Sequence, residues 1–153
     1  MSRLTNTSFL FMTLLIVSSC SKEKDEETLD GVWKVVSLVH KDCLDLSDNK
    51  EITFIDGCAT ENGYLGCWEL RFKGSKMTSL ATEKQLSTGN EEEYREEIFF
   101  KIVEDKFLYC DNEQFTNCDE WFDVEIKENI LVLGFPDGYS IENCYSVATF
   151  VKQ

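Results

Sequence analysis

From Gly31 onward the chain is divided into short runs in which apolar residues alternate with polar ones. The runs favour β-branched and aromatic residues and are separated by brief turns, a period-two pattern that reads as half-buried β-strands. The first is Gly31 to His40, and strict alternation would place Trp33, Val35, Ser37 and Val39 on one face. Trp68 to Lys73 and Lys76 to Thr82 follow, joined at Gly74-Ser75. Glu97 to Val103 and Lys106 to Cys110 are joined at Glu104-Asp105, and Trp121 to Lys127 and Ile130 to Phe135 at Glu128-Asn129. The last run, Cys144 to Lys152, is entered through Pro136-Asp137-Gly138, the chain's one proline. These eight runs predict a sequential antiparallel meander. A meander of this kind closes on itself because closure removes two adhesive edges. The predicted fold is therefore all-β, an eight-stranded up-and-down β-barrel over residues 29–153. A barrel of about eight strands is filled by its own side chains or holds one small ligand.

Two stretches break the rhythm. Residues 43–66 are long and polar. Asp48-Asn-Lys-Glu51 there reads as a capping box opening a short helix, and Glu51 to Ile55 reads equally as a strand. Thr82 to Glu96 reads as an acidic, solvated, mobile loop around Gly89.

Ahead of these runs lies a different kind of sequence. Arg3 precedes an apolar run, Phe9 to Val17, too short to span a bilayer, which requires about 20 residues. A cation, a short apolar run and then small residues form a signal peptide. Val17-Ser18-Ser19-Cys20 resembles the lipobox of bacterial lipoproteins. The resemblance implies cleavage before Cys20 and lipid on its sulfur and amine, and two or three chains give stable anchoring. Ser21 to Glu27 is a charged tether that cannot pack a core. It also resembles the acidic export tag of some Gram-negative surface lipoproteins. The expected division is a signal peptide at 1–19, a lipidated acidic tether at 20–28 and one domain at 29–153. Ser21 after the cysteine suits the outer membrane, with the domain facing either the cell surface or the periplasm.

The whole chain carries a net charge of −14. Cleavage would remove only Arg3 among the charged residues, taking −14 to −15. Such an acidic surface argues against nucleic acid, which requires a basic stripe, and against lying flat on anionic lipid. Seven cysteines minus Cys20 leave Cys43, Cys58, Cys67, Cys110, Cys118 and Cys144. An even remainder in an exported chain reads as disulfides, although six cysteines permit about 15 pairings. Close spacing suggests Cys58–Cys67 and Cys110–Cys118, with Cys43–Cys144 then the long-range bond. Zinc is the competing reading, but Cys-x-x-Cys is absent from the sequence and His40 is the only histidine. No metal and no cofactor are expected.

Leu29-Asp-Gly-Val-Trp-Lys34 carries Gly-x-Trp at the start of the first strand. With eight strands in a meander, it resembles the lipocalin and fatty-acid-binding-protein superfamily, and most of all the small lipocalin-like domains of bacterial lipoproteins. The resemblance implies that Trp33 closes one end of the barrel beneath a basic residue of the last strand. Lys152 is the candidate, standing where the family usually has arginine. It also implies a first–last strand pair that brings Cys144 near Cys43.

No catalytic constellation stands out. The sequence lacks a nucleophile elbow, a zinc-protease motif and a phosphate loop. His40 stands three residues from Cys43, but a disulfide accounts for Cys43 better than a thiolate pair. Among 29 acidic residues, neighbours such as Asp111 and Glu113, or Asp119 and Glu120, arise by chance. The loop Asp111 to Asp119 lacks the ligand order and central glycine of an EF-hand. The chain is therefore read as non-enzymatic. Inward candidates Trp68, Leu70, Phe72, Phe100, Tyr109 and Phe122 would line a pocket for a small hydrophobic ligand. The alternative is an interaction or structural module with a filled core and no small-molecule ligand. That alternative predicts an exposed apolar patch from Leu38, Phe99, Leu133 and Phe135. The sequence names no protein partner.

Overall fold

A computed structural model describes residues 29–135 and 144–153 of the chain. The signal peptide, Cys20, the tether and the Pro136-Asp137-Gly138 turn lie outside the described residues. Ten strands form one antiparallel sheet: β1 (Gly31–Lys41), β2 (Lys50–Thr53), β3 (Cys58–Glu61), β4 (Tyr64–Lys73), β5 (Lys76–Gln85), β6 (Glu91–Val103), β7 (Lys106–Cys110), β8 (Cys118–Lys127), β9 (Ile130–Phe135) and β10 (Tyr145–Lys152). β4 to β10 pair in chain order, and β1 joins β10 on one side and β4 on the other. Those eight strands close an antiparallel barrel, and they coincide with the eight alternating runs. Glu104 and Glu128 take positive φ in their tight turns, 59° and 54°, as such hairpins require.

Inward positions form one apolar core. It includes Trp33, Leu70, Phe72, Ile98, Phe100, Phe107, Phe122, Leu131, Leu133, Phe135 and Phe150. Phe107 lies at its centre, fully buried. Its ring stacks on Phe100 at 4.8 Å and meets Phe122 at 5.8 Å and Phe72 at 6.5 Å.

One expected face of β1 is overturned. The β1–β10 register slips between Val35 and Ser37, leaving Val36 as the extra residue of a bulge. A bulge inverts the inward set beyond it. Trp33 and Val35 point in as expected, but Leu38 and His40 then replace Ser37 and Val39. Leu38 packs against the core and His40 is only 4% exposed. The expected outer patch also fails, since Leu133 and Phe135 are each 1% exposed. Phe99 is half-buried.

The acidic stretch 82–96 is mostly strand. β5 runs to Gln85 and β6 begins at Glu91, leaving a short turn closed by the Gln85 N–H donating to the Asn90 carbonyl at 2.8 Å. This hairpin rises beyond the barrel, so polar residues occupy both faces and no apolar alternation marks it.

The segment 43–66 holds a single 3-10 turn, Leu46–Asp48, whose cap is Asp45 and not Asp48. β2 follows, so the strand reading prevails. Asp56 (φ 53°) and Gly57 (φ 82°) turn the chain into β3, and Asn62 (φ 50°) and Gly63 (φ 84°) turn it into β4.

Cys43–Cys144, Cys58–Cys67 and Cys110–Cys118 are the three disulfides. Cys43 is therefore not available as a thiolate for His40.

Candidate functional site

The closed end of the barrel is plugged. Gly31 has φ +131°, and a Cβ there would lie 3.1 Å from the Lys152 side chain. Glycine thus admits Lys152, whose Nζ sits 5.4 Å from the centre of the Trp33 ring. Trp33 pairs with Lys152 across the β1–β10 ladder, and its Nε1–H donates to the Leu29 carbonyl at 2.7 Å. Asp30 accepts the Gly74 N–H at 2.8 Å, tying the β4–β5 turn to the same end. A cation over an indole face adds attraction to this packing.

Among the described residues the other end is open, and the sequence dictates where. β1 uses residues 31–34 to pair with β4 and residues 37–40 to pair with β2. β4 divides likewise: residues 69–72 pair with β1, and 64–67 pair with β3. β1 and β4 therefore part, and the β2–β3 hairpin wedges between them. Its tip is bonded on both sides: Phe54 N–H donates to the Val36 carbonyl, and Trp68 N–H to the Gly57 carbonyl, each at 2.9 Å. Lys34 grips the tip through Asp56 at 2.7 Å. Among the described residues, the two arms of the wedge join only at the Ile55–Cys58 bridge and through a 2.7 Å Lys50–Glu61 ion pair.

Between those arms lies a recess of about 370 Å³, lined by Ile52, Phe54, Ala59, Glu61, Asn62, Tyr64, Gly66 and Glu83. Ile52 stands opposite Leu38, and Ala59 opposite Gly66. Both follow the inward register, so the recess is the mouth of the barrel. Its volume falls within the roughly 300–1,000 Å³ of small-molecule sites. Apolar groups form most of it; Glu83 supplies negative charge, and Glu61 brings a carboxylate paired with Lys50. A Cβ at Gly66 would meet nothing within 4 Å.

The six inward aromatic and aliphatic candidates divide. Leu70, Phe72, Phe100 and Phe122 are 1–7% exposed and pack on one another or on the rest of the core, filling the barrel. Trp68 is half-buried; it donates from Nε1 to Ser79 Oγ at 3.0 Å and meets Phe150 edge-on at 4.9 Å. Tyr109 does not join them and is 36% exposed. It stands opposite Phe100, but next to the last residue of β7, where the wall stops, and its ring meets Trp121.

Near the mouth His40 and Ser146 face each other across β1 and β10 and share a 2.8 Å hydrogen bond. Burial, and then the Lys50 charge, hold the His40 pKa below its ordinary 6.5. Outside the barrel, Tyr145 lies over Gly134 to donate to Asp123 at 2.7 Å, and Lys106 donates to the same carboxylate at 2.6 Å. Burial and that carboxylate raise the Tyr145 pKa to about 12. An outer-face recess of about 300 Å³ lies between Lys34, Arg71, Leu80 and Glu93.

Neither the wedge nor its recess follows from the alternation of the eight main runs. Asp56-Gly57 and Asn62-Gly63 carry the available signal, since both dipeptides favour two-residue hairpin turns. In the Asp111–Asp119 loop, Asn112 bonds Thr116 and Asn117 bonds Asp111, so the polar groups there satisfy one another. Among the described residues no group of three or more His, Cys, Asp or Glu side chains converges on a metal position. In comparisons with known proteins the chain matches no family model, no curated protein and no solved structure.

Proposed function

We propose that this chain is a lipid-anchored, lipocalin-like outer-membrane lipoprotein that binds a small apolar ligand without catalysing a reaction on it. We further propose that the ligand sits in the mouth, not in the barrel interior. The observation that carries this reading is the recess between the arms of the β2–β3 wedge, lined by Ile52, Phe54, Ala59 and Tyr64. A ligand there would bury its apolar body against those side chains and turn one or two polar groups toward Glu61 and Glu83. Lipid on Cys20 would hold the barrel at the membrane, with Ser21 to Glu27 as spacer.

Gly66→Phe provides the test, because an added side chain points into open space within the recess. Protein made in its own host and examined by native mass spectrometry should carry a small-molecule adduct. Gly66→Phe should lose that adduct while keeping the wild-type circular dichroism and melting curve. An adduct that survives in the variant would refute the mouth as its site. The anchor has a separate test: Cys20→Ser should abolish incorporation of labelled fatty acid, and labelling that persists would refute it.

The packed interior favours one second reading, an interaction module with a filled core. Under that reading the wild-type protein carries no adduct at all.

A further inference from the structure

β6 is longer than its partner on one side. β5 pairs with it along residues 91–99, whereas β7 pairs only with residues 99–103. Among the described residues no strand pairs the other edge of Glu91 to Glu97. Two hydrogen bonds fix which groups face that edge. Phe100 N–H donates to the Ser75 carbonyl at 2.9 Å, and the Asn90 carbonyl accepts from Gln85 at 2.8 Å, so even-numbered residues direct their main chain to β5. Alternation then directs the N–H and C=O groups of Glu91, Glu93, Arg95 and Glu97 away from β5. A row of such groups is a template for another strand.

The side chains select what can pair there. On the outer face Glu97 is engaged by Lys76 and Arg95, each at 2.5 Å, and Glu91 by Lys84 at 3.9 Å. On the concave face, which continues the inward register of Ile98 and Phe100, stand Glu92, Tyr94 and Glu96. Glu92 faces Glu83 directly across the ladder. No ion pair among the described residues reaches Glu92 or Glu96. A second copy pairing antiparallel about Tyr94 would set Glu92 against Glu96 twice, and like charges opposite each other are destabilising. The chain's own tether, Lys22 to Glu27, has four acids to two lysines and would add like charge.

We propose that Glu91 to Glu97 of β6 accepts an added strand from a basic partner polypeptide, whose cations meet Glu92 and Glu96. The two glutamates lie four residues apart with Tyr94 between them, so the complementary segment carries two cations at that spacing around an apolar residue. Occupancy of the barrel mouth is not required.

The test uses the full chain and two synthetic peptides, Thr-Lys-Thr-Val-Thr-Lys-Thr (the Lys–Val peptide) and Thr-Glu-Thr-Val-Thr-Glu-Thr (the Glu–Val peptide), each placing two charges four residues apart around an apolar residue on one face. Per-residue amide exchange by NMR should show the Lys–Val peptide slowing the Glu91, Glu93, Arg95 and Glu97 amides. The Glu–Val peptide should do nothing. Arg95→Pro removes a donor that faces the free edge and breaks no bond to β5, a position where an edge strand tolerates proline. It should abolish that protection. Converting Glu92 and Glu96 together to Lys should exchange the preference for the Glu–Val peptide, and converting both to Gln should weaken Lys–Val binding about tenfold. Binding that leaves the four amides unprotected, or that survives Arg95→Pro, overturns the proposal. So does protection without peptide that rises with protein concentration, which would mean that a second copy occupies the edge.

Discussion

At the closed end of the barrel, β4 contributes Leu70 and Phe72 and β6 contributes Ile98 and Phe100, all nearly inaccessible to solvent. At the open end the same two strands contribute Tyr64, 39% exposed, and Tyr94, 55% exposed. Strand geometry is continuous through both regions. What changes is the neighbour across the barrel: seven other walls face the lower residues, whereas the upper ones face a split wall on one side and a free edge on the other. Hydrophobic burial thus specifies the lower half, and turn chemistry with cross-strand polar pairs specifies the upper half. Stability therefore resides where side chains interdigitate, whereas backbone and charge remain accessible at the open end, where both proposed binding sites lie.

The disulfides give the largest expected contrast. Cys43–Cys144 links residues 101 apart, while Cys58–Cys67 spans 9. Loop-closure entropy assigns about 4–5 kcal/mol to the long link and about 3 kcal/mol or less to the short one. Paired Cys→Ser replacement at 43 and 144 should therefore lower the urea midpoint more than replacement at 58 and 67. The opposite order would mean that the wedge, rather than the seam between β1 and β10, holds the barrel closed.

Core truncation sharpens the same comparison. Phe107→Ala should cost about 3–5 kcal/mol, since a fully enclosed ring would leave a cavity among three other aromatic rings. Tyr94→Ala on the overhanging hairpin should stay within about 0.5 kcal/mol of wild type. Equal losses in chemical denaturation would show that the hairpin is packed against something in solution.

The closed end was legible in the sequence because its information is periodic. Most of the barrel strands bury inward residues at period two, so the order of apolar and polar residues reveals them, and Gly31, Trp33 and Lys152 carry a recognisable end-cap pattern. Val36 shows where periodicity fails: one extra residue leaves the run of apolar letters unbroken yet exchanges Ser37 and Val39 for Leu38 and His40. The open end was poorly legible for a different reason. Thr82 to Glu96 has no apolar face because, among the described residues, no packed core lies across from it, so a strand held by ladder bonds reads as a loop. The wedge was marked only by Asp56-Gly57 and Asn62-Gly63, local signals that fix turns but do not say that β1 and β4 would part to admit them. Tyr109 illustrates the boundary itself, inward by register and exposed because the wall ends one residue later.

His40 lies where the two regimes meet and carries the smallest prediction. It is buried on the inward face beside Ser146, with the Lys50 cation lowering its pKa and Glu61 partly opposing that. A histidine whose pKa is lowered on folding binds its proton more readily when unfolded. Its contribution to stability is therefore complete above its ordinary value of 6.5 and declines as pH falls below that toward the folded value. The loss can reach at most about 1.4 kcal/mol per pH unit. Acidic groups titrate in the same experiment, so the informative quantity is the difference between wild type and His40→Asn. That difference should hold steady from pH 8 to about 7 and shift against the wild type below about 6.5 in urea titrations. A difference that stays flat through that window would mean that His40 remains hydrated when folded, and that water enters the barrel as deep as Ser146.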